Sequence, residues 1–177
     1  HDAREIAENI IRAAQMAVRD SGIDPRRLAG VAVTNQRESV ALWERDTGRP
    51  VCESIVWQCN RAAGLCRRIQ DQGYYPEIQR RTGLVPSPFF SAGKIAWVLE
   101  NVPGAREKAE QDQLCMGTMD TWTIWQLTGG KIHRTDCSNA SRTQLFNIHT
   151  MEWDPELCRI FGIPMSVLPQ VCDSNGE

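Results

Sequence analysis

Leu28-Ala29-Gly30-Val31-Ala32-Val33-Thr34-Asn35-Gln36-Arg37-Glu38 is the stretch on which the reading of this chain turns. Its first six residues are a short, near-continuous apolar run of the kind that forms a strand buried on both faces of an α/β sheet. Five polar residues follow without a break, and polar residues at the end of such a strand line ligand crevices in open α/β sheets. The competing reading is an ordinary solvated turn that carries Arg37 and Glu38. Upstream, Ile6, Ile10, Ala13, Ala14 and Ala17 fall at helical spacing, with Arg4, Glu5, Glu8 and Arg12 at other positions and Ser21-Gly22 as a stop. The order is helix, short loop at Asp24-Pro25, buried strand.

Downstream, Ser39–Trp43 reads as a second strand and Ser54–Trp57 as a third, with turn chemistry at Asp46-Thr47-Gly48 between them. So short a connection predicts antiparallel pairing. Helical spacing returns over 61–72 and 91–101, the latter with Ile95, Val98 and Leu99 ahead of Pro103-Gly104. Leu114–Met116 is a short strand candidate, followed by a helix from about Asp120 to Leu127 and a break at Gly129-Gly130. No repeat, low-complexity tract or linker divides the chain, so one mixed α/β unit, a mixed sheet with flanking helices, is expected.

Composition sets wider bounds. A chain of 177 residues, 41% hydrophobic and 24% charged, is built to bury a core, which excludes disordered and fibrous classes. Twenty Lys and Arg against 22 Asp and Glu leave a net charge of -2, so nothing predicts nucleic acid or a membrane as a partner. No apolar run approaches the ~18–20 residues of a membrane span, and no secretory leader is read at the start, which makes the expected location cytoplasmic. Seven cysteines without a C-x-x-C pair, and three histidines not spaced as ligand pairs, predict free thiols and no metal site. A first residue His1 rather than Met, and an end at the turn-like Asn175-Gly176-Glu177, read as an excised piece of a longer chain.

The common nucleotide loops G-x-x-x-x-G-K-[ST] and G-x-G-x-x-G are absent, as is the G-x-S-x-G elbow. The polar segment after the first strand is instead one of a series. Ile55-Val-Trp57-Gln-Cys-Asn-Arg61, Pro88-Phe89-Phe90-Ser91-Ala-Gly-Lys94-Ile95-Ala-Trp97, Gly117-Thr-Met-Asp120-Thr-Trp122, Thr135-Asp136-Cys-Ser-Asn-Ala-Ser-Arg142-Thr143 and Leu145-Phe-Asn-Ile148 follow in order. Taken together the series resembles the FGGY carbohydrate kinases over nearly the whole chain, and within them the glycerol kinase branch. The F-x-S-x-x-K-I-x-W element is similar to a signature of the whole family. T-N-Q-R-E, N-A-S-R-T and L-F-N-I-H-T resemble the glycerol branch in particular.

The resemblance implies a ribonuclease H-like (actin-like ATPase) domain, incomplete at both ends. Residues 1–177 would be a single partial domain, the middle of the N-terminal lobe, with the C-terminal lobe absent. It implies an ATP-dependent transfer of the γ-phosphoryl group to glycerol, giving sn-glycerol 3-phosphate, with Mg²⁺ as the metal. Arg37 and Glu38 match the positions that grip the polyol: a guanidinium donates to a hydroxyl oxygen while a carboxylate accepts the hydroxyl hydrogen. Trp57 matches an apolar wall against the carbon side of the substrate, whereas Trp43, Trp97, Trp125 and Trp153 are assigned to packing. Phe89 departs from the family, which generally carries Tyr there. The departure motivates two alternatives: a kinase for another small polyol or ketose, and a non-catalytic polyol-sensing pseudokinase.

The family's base is an Asp in a Gly-Asp-Gln segment, and its first phosphate loop is a D-x-G-T/S hairpin; neither occurs in this sequence. Asp120 fits a first helical turn and Asp136 an Asx-rich loop, so neither is read as the base. No catalytic, nucleotide or metal residue is therefore assigned within the chain. By itself it is expected to be inactive, to bind glycerol weakly, to carry neither ATP nor Mg²⁺, and to expose an apolar patch. A homo-oligomeric parent is left open.

Overall fold

The computed structural model describes residues 1–175. The central element is an antiparallel pair, β1 (Val40–Glu44) and β2 (Leu114–Thr118), in register from Val40 opposite Thr118 to Glu44 opposite Leu114. Successive side chains of a strand point to opposite faces, and both faces of this pair are buried. Val40, Leu42, Leu114 and Met116 enter the larger core, with Ile55, Ile95 and Leu99. Ala41, Trp43 and Cys115 enter a second core with Ala3, Ala7, Trp122 and Trp125.

The helices cover these two faces. α1 (Ala3–Ser21) and α6 (Met119–Leu127) pack on the second core. α2 (Ala63–Asp71), α3 (Tyr75–Thr82), α4 (Ser91–Asn101) and α5 (Ala105–Glu110) bury apolar residues in the larger one. A parallel pair of β3 (Arg134–Asp136) and β6 (Gln170–Cys172) and a short antiparallel pair of β4 (Phe146–Asn147) and β5 (Glu152–Trp153) follow. Between them lie α7 (Cys137–Ala140) and α8 (Pro155–Phe161). The arrangement is the mixed α/β one expected.

Local signals placed many of these elements. Asp2 caps α1 by accepting from the Arg4 and Glu5 N–H groups, and Gly22, at φ 67°, closes it. The 91–101 helix is observed at Ser91–Asn101, and the helices read over 61–72 and 120–127 form at Ala63–Asp71 and Met119–Leu127. Between β2 and α6, Gly117 is required: a Cβ there would lie 2.4 Å from Thr121 Cβ.

Two expectations are corrected. Leu28–Val33 is not a buried strand: it is irregular and exposed, Val31 reaching 81%. The run forms no ladder: both edges of β1 are taken, by β2 on one side and by the Val40–Ile55 and Trp43–Pro50 bridges on the other, and β3, which lines the same groove, pairs with β6 alone. The segment lies instead along a groove of about 460 Å³ with Asp120, Ile124, Ile132 and Thr135. Ser54–Trp57 likewise shrinks to the single antiparallel bridge at Ile55, because the chain turns from Val56, whose carbonyl accepts from the Cys59 N–H at 3.0 Å. The turn read at Asn175-Gly176-Glu177 runs outside the described residues.

Trp43 is fully buried and meets Trp122 at 5.0 Å and Trp125 at 5.6 Å between ring centroids, a packing role as expected. The seven cysteines are free thiols, and burial pushes Cys66 and Cys115 up to about 11 and Cys158 to about 12. Ile10, Met16, Ile23 and Leu28 are exposed, an apolar strip along α1 and the segment after it. No helix among the described residues is long and apolar enough to cross a membrane.

Candidate functional site

The polar segment ends where β1 begins, and one hydroxyl organises that junction. Ser39, 1% exposed, donates to Gln36 Oε1 at 2.7 Å and accepts from the Trp57 N–H at 3.1 Å. It thereby joins the turn that carries Arg37 and Glu38 to the loop that carries Trp57. Glu38 is buried, and its Oε1 accepts from Arg142 Nε at 2.9 Å. Arg37 faces solvent and makes no hydrogen bond or ion pair among the described residues.

The apolar side is built from edge-to-face rings. Half-buried Phe89 meets Trp57 at 5.8 Å and buried Phe90 at 5.3 Å between centroids, and the Arg142 guanidinium lies 5.1 Å from the centre of the Phe90 ring. These contacts close a circuit: Glu38, Arg142, Phe90, Phe89, Trp57, Ser39 and back to Glu38. Edge-to-face pairs and a stacked guanidinium each add about 0.5–1.5 kcal/mol beyond simple burial. Trp57 remains 40% exposed, so the ring wall has an open face. Of the four residues singled out in sequence, Glu38, Trp57 and Phe89 are in this circuit; Arg37 adjoins it through the backbone alone.

Lys94 holds the aromatic turn. Four residues into α4 and fully buried, its Nζ donates to the Phe89 carbonyl and, at 3.0 Å, to the Phe90 carbonyl. Burial lowers its pKa to about 8, against the opposing pull of Cys59, Glu38 and Cys66. Trp97, one turn further along, stacks against Arg61 at 4.7 Å, tying the same helix to the Trp57 loop.

Asp120 secures the other end of the polar segment. It is 4% exposed and accepts from Asn35 Nδ2 at 3.1 Å, from the Thr118 hydroxyl, and from the Thr135 hydroxyl at 2.7 Å. Burial raises its pKa, and the hydrogen bonds from the Thr118 and Thr135 hydroxyls oppose the rise. Asp136 is the N-cap of α7, accepting from the Asn139 N–H at 2.8 Å. Asp120 thus stands in the first turn of α6, as read, whereas Asp136 lies not in a loop but at the junction of β3 and α7. Among the described residues no group of three or more His, Cys, Asp or Glu side chains gathers where a metal ion could be held.

Arg142 and Lys94 carry the circuit, yet sequence reasoning assigned a role to neither. Both sit inside quoted motifs, and that was the available signal. What was hidden is the partner: Arg142 and Glu38 are 104 positions apart.

The chain matches the model of the FGGY family of carbohydrate kinases, N-terminal domain, over residues 1–177. It is 49% identical to glycerol kinase 2 of Thermotoga maritima, covering 99% of this chain and 35% of that protein. Against the glycerol kinase of Bacillus subtilis it is 46% identical with the same coverage. Plasmodium falciparum glycerol kinase with ADP superposes at a TM-score of 0.90 and 35% identity, over 97% of this chain and 34% of that one. A xylulose kinase from Rhodospirillum rubrum shares the fold, at a TM-score of 0.83 and 18% identity over 97% of this chain and 34% of that one. The chain spans about a third of the length of each of these relatives. By the family match along its whole length, this chain belongs to the FGGY carbohydrate kinases and represents their N-terminal domain.

Proposed function

We propose that this chain supplies the acceptor-alcohol side of a cytoplasmic, ATP-dependent glycerol kinase that forms sn-glycerol 3-phosphate. One observation carries the reading: a buried carboxylate, Glu38, sits on a circuit with an aromatic wall whose outer member, Trp57, is open to solvent. A few placed polar groups beside apolar walls are the usual make-up of a small-molecule site. Glu38 accepts a hydroxyl hydrogen, Arg37 donates to the neighbouring oxygen, and the Trp57 and Phe89 rings lie against the carbon edge. Phosphoryl transfer depends mainly on positioning and charge stabilisation, and what these residues contribute is the position of the alcohol. The similarity to glycerol kinases supports glycerol as the acceptor.

The described residues do not by themselves fit a nucleotide and Mg²⁺ site: no acidic cluster gathers, and neither the Gly-Asp-Gln nor the D-x-G-T/S segment is present. We place the first phosphate loop, the catalytic base and the nucleotide pocket with its Mg²⁺ on residues outside residues 1–177, the adenine on a second lobe, and read residues 1–177 as one part of the N-terminal lobe. The full-length protein, assayed with ATP and Mg²⁺ against glycerol, dihydroxyacetone, erythritol and xylulose, should show its highest kcat/KM with glycerol. A higher value for the sugar would overturn the assignment.

Phe89 motivates the second reading, a kinase for another small polyol or ketose. Its ring is held edge-on to Trp57, where a para hydroxyl would add one hydrogen-bonding group to the wall. Under the glycerol reading, Phe89→Tyr should raise glycerol kcat/KM by about 2- to 13-fold, the worth of one hydrogen bond. No change or a loss, with another acceptor preferred, would favour the second reading.

A further inference from the structure

We propose that Arg142 is the positioning residue of the acceptor site, acting through Glu38; the proposal rests on the kinase reading above. Arg142 donates from Nε to Glu38 Oε1 at 2.9 Å while its guanidinium lies over the Phe90 ring at 5.1 Å. The bond engages one oxygen of the carboxylate and leaves Oε2 to receive a substrate hydroxyl. Glu38 has two acceptor oxygens and a rotatable side chain; the Arg142 bond selects one orientation. The guanidinium's fixed fork of donors holds Nε on Glu38 while its carbon stays over the ring, and loses less side-chain freedom in doing so than a flexible ammonium would.

The backbone is arranged to deliver this side chain. The Thr143 carbonyl, one residue on, accepts from the Ala92 N–H in the first turn of α4 at 2.8 Å. Arg142 is thereby registered against the same turn that carries Phe89 and Phe90. Gln144 then adopts a left-handed conformation, φ 67°, which residues with a Cβ rarely take. It is fully buried and donates to the Val85 carbonyl at 2.6 Å. The chain therefore turns sharply immediately after delivering Arg142, and the 142–144 turn is tied to both the Val85 loop and α4.

In the full-length protein, Arg142→Gln should raise the acceptor KM at least about tenfold, with kcat and the ATP KM within about twofold of wild type. Arg142→Lys should recover only part of the loss, because an ammonium on a flexible stem lacks the fixed Nε donor that orients Glu38. In a Glu38→Ala background, where Arg142 has no side-chain acceptor to orient, adding Arg142→Gln should cost less than about twofold more. The penalty should also shrink for a diol that lacks one of glycerol's terminal hydroxyls. A loss of equal size with and without Glu38, or an equal rise in the ATP KM, would show a merely structural role and overturn the proposal. An unchanged acceptor KM in Arg142→Gln overturns it too while leaving the kinase reading intact. A wild-type protein that phosphorylates none of the polyols overturns both.

Discussion

Glu38→Ala in the full-length protein should lower kcat/KM for glycerol by about two to three orders of magnitude. Two losses combine. A hydrogen bond from substrate to a charged partner is worth about 1.5–3 kcal/mol, or about 10- to 150-fold. The half-buried Arg142 guanidinium also loses its counter-charge and retains only the Phe90 ring, a further cost because an unpaired charge away from bulk water is expensive. Glu38→Gln keeps an acceptor oxygen for Arg142 and should lose less, which separates recognition from folding. Steady-state kinetics with glycerol varied at saturating ATP measures both. A change below about threefold in the alanine variant would remove Glu38 from the acceptor site.

The stability difference between wild type and Lys94→Met should grow in favour of wild type between about pH 8 and 10.5, because the variant lacks the rise that Lys94 contributes there. Burial holds the Lys94 pKa at about 8, below the ordinary value of 10.5. Across that interval the unfolded chain binds a proton at Lys94 that the folded protein does not, so this contribution to unfolding free energy rises with pH. The cost of burying the ammonium is full below pH 8 and is relieved as the pH rises through the window. One group contributes at most about 1.4 kcal/mol per pH unit, about 3 kcal/mol over the whole interval. The variant loses this slope and also takes the side-chain donor from the Phe89 carbonyl, so its acceptor KM should rise as the Phe89 wall loosens. Urea unfolding of both proteins at pH 7.5, 8.5 and 9.5 decides the matter: parallel stability curves would mean that Lys94 does not titrate in this range. The buried Cys66, Cys115 and Cys158 thiols, pushed up to about 11, 11 and 12, stay protonated in the folded protein while unfolded thiols ionise above about pH 9, so they pull stability down with pH in both proteins and drop out of the difference between them.

The two residues behind these predictions differ in how visible they were. Glu38 was marked by the T-N-Q-R-E segment, a polar run read as following a buried strand and resembling the glycerol kinase branch; the motif drew attention to it although the strand before it does not form. Lys94 reads in sequence as an ordinary helical lysine. Its burial follows from the way α4 packs between β1 and α2, where Gly93 lets Ala62 and Cys66 approach to within 3.1 and 3.3 Å of where its Cβ would stand. Helices α3 and α8 passed unread because each opens on a proline-containing turn, Tyr75-Pro76 and Asp154-Pro155. Proline breaks a helix interior but suits its first turn, where no backbone donor is needed. The Asp154 side chain, accepting from the Glu156 and Leu157 N–H groups, was a legible cap.

Local chemistry in the sequence determined the helices at 3–21, 63–71, 91–101 and 119–127, the mixed α/β class and the polar segment at 34–38, because caps, apolar spacing and turn residues act within a few positions of one another. The tertiary structure alone decided which distant groups meet. A strand exists only where its backbone pairs with a neighbour, and the apolar run at 28–33, the most strand-like segment in sequence, makes no such pairing while 40–44 is paired on both sides. A carboxylate is oriented only by the side chain that reaches it, and Arg142 reaches Glu38 across 104 residues through a turn that no local pattern announces.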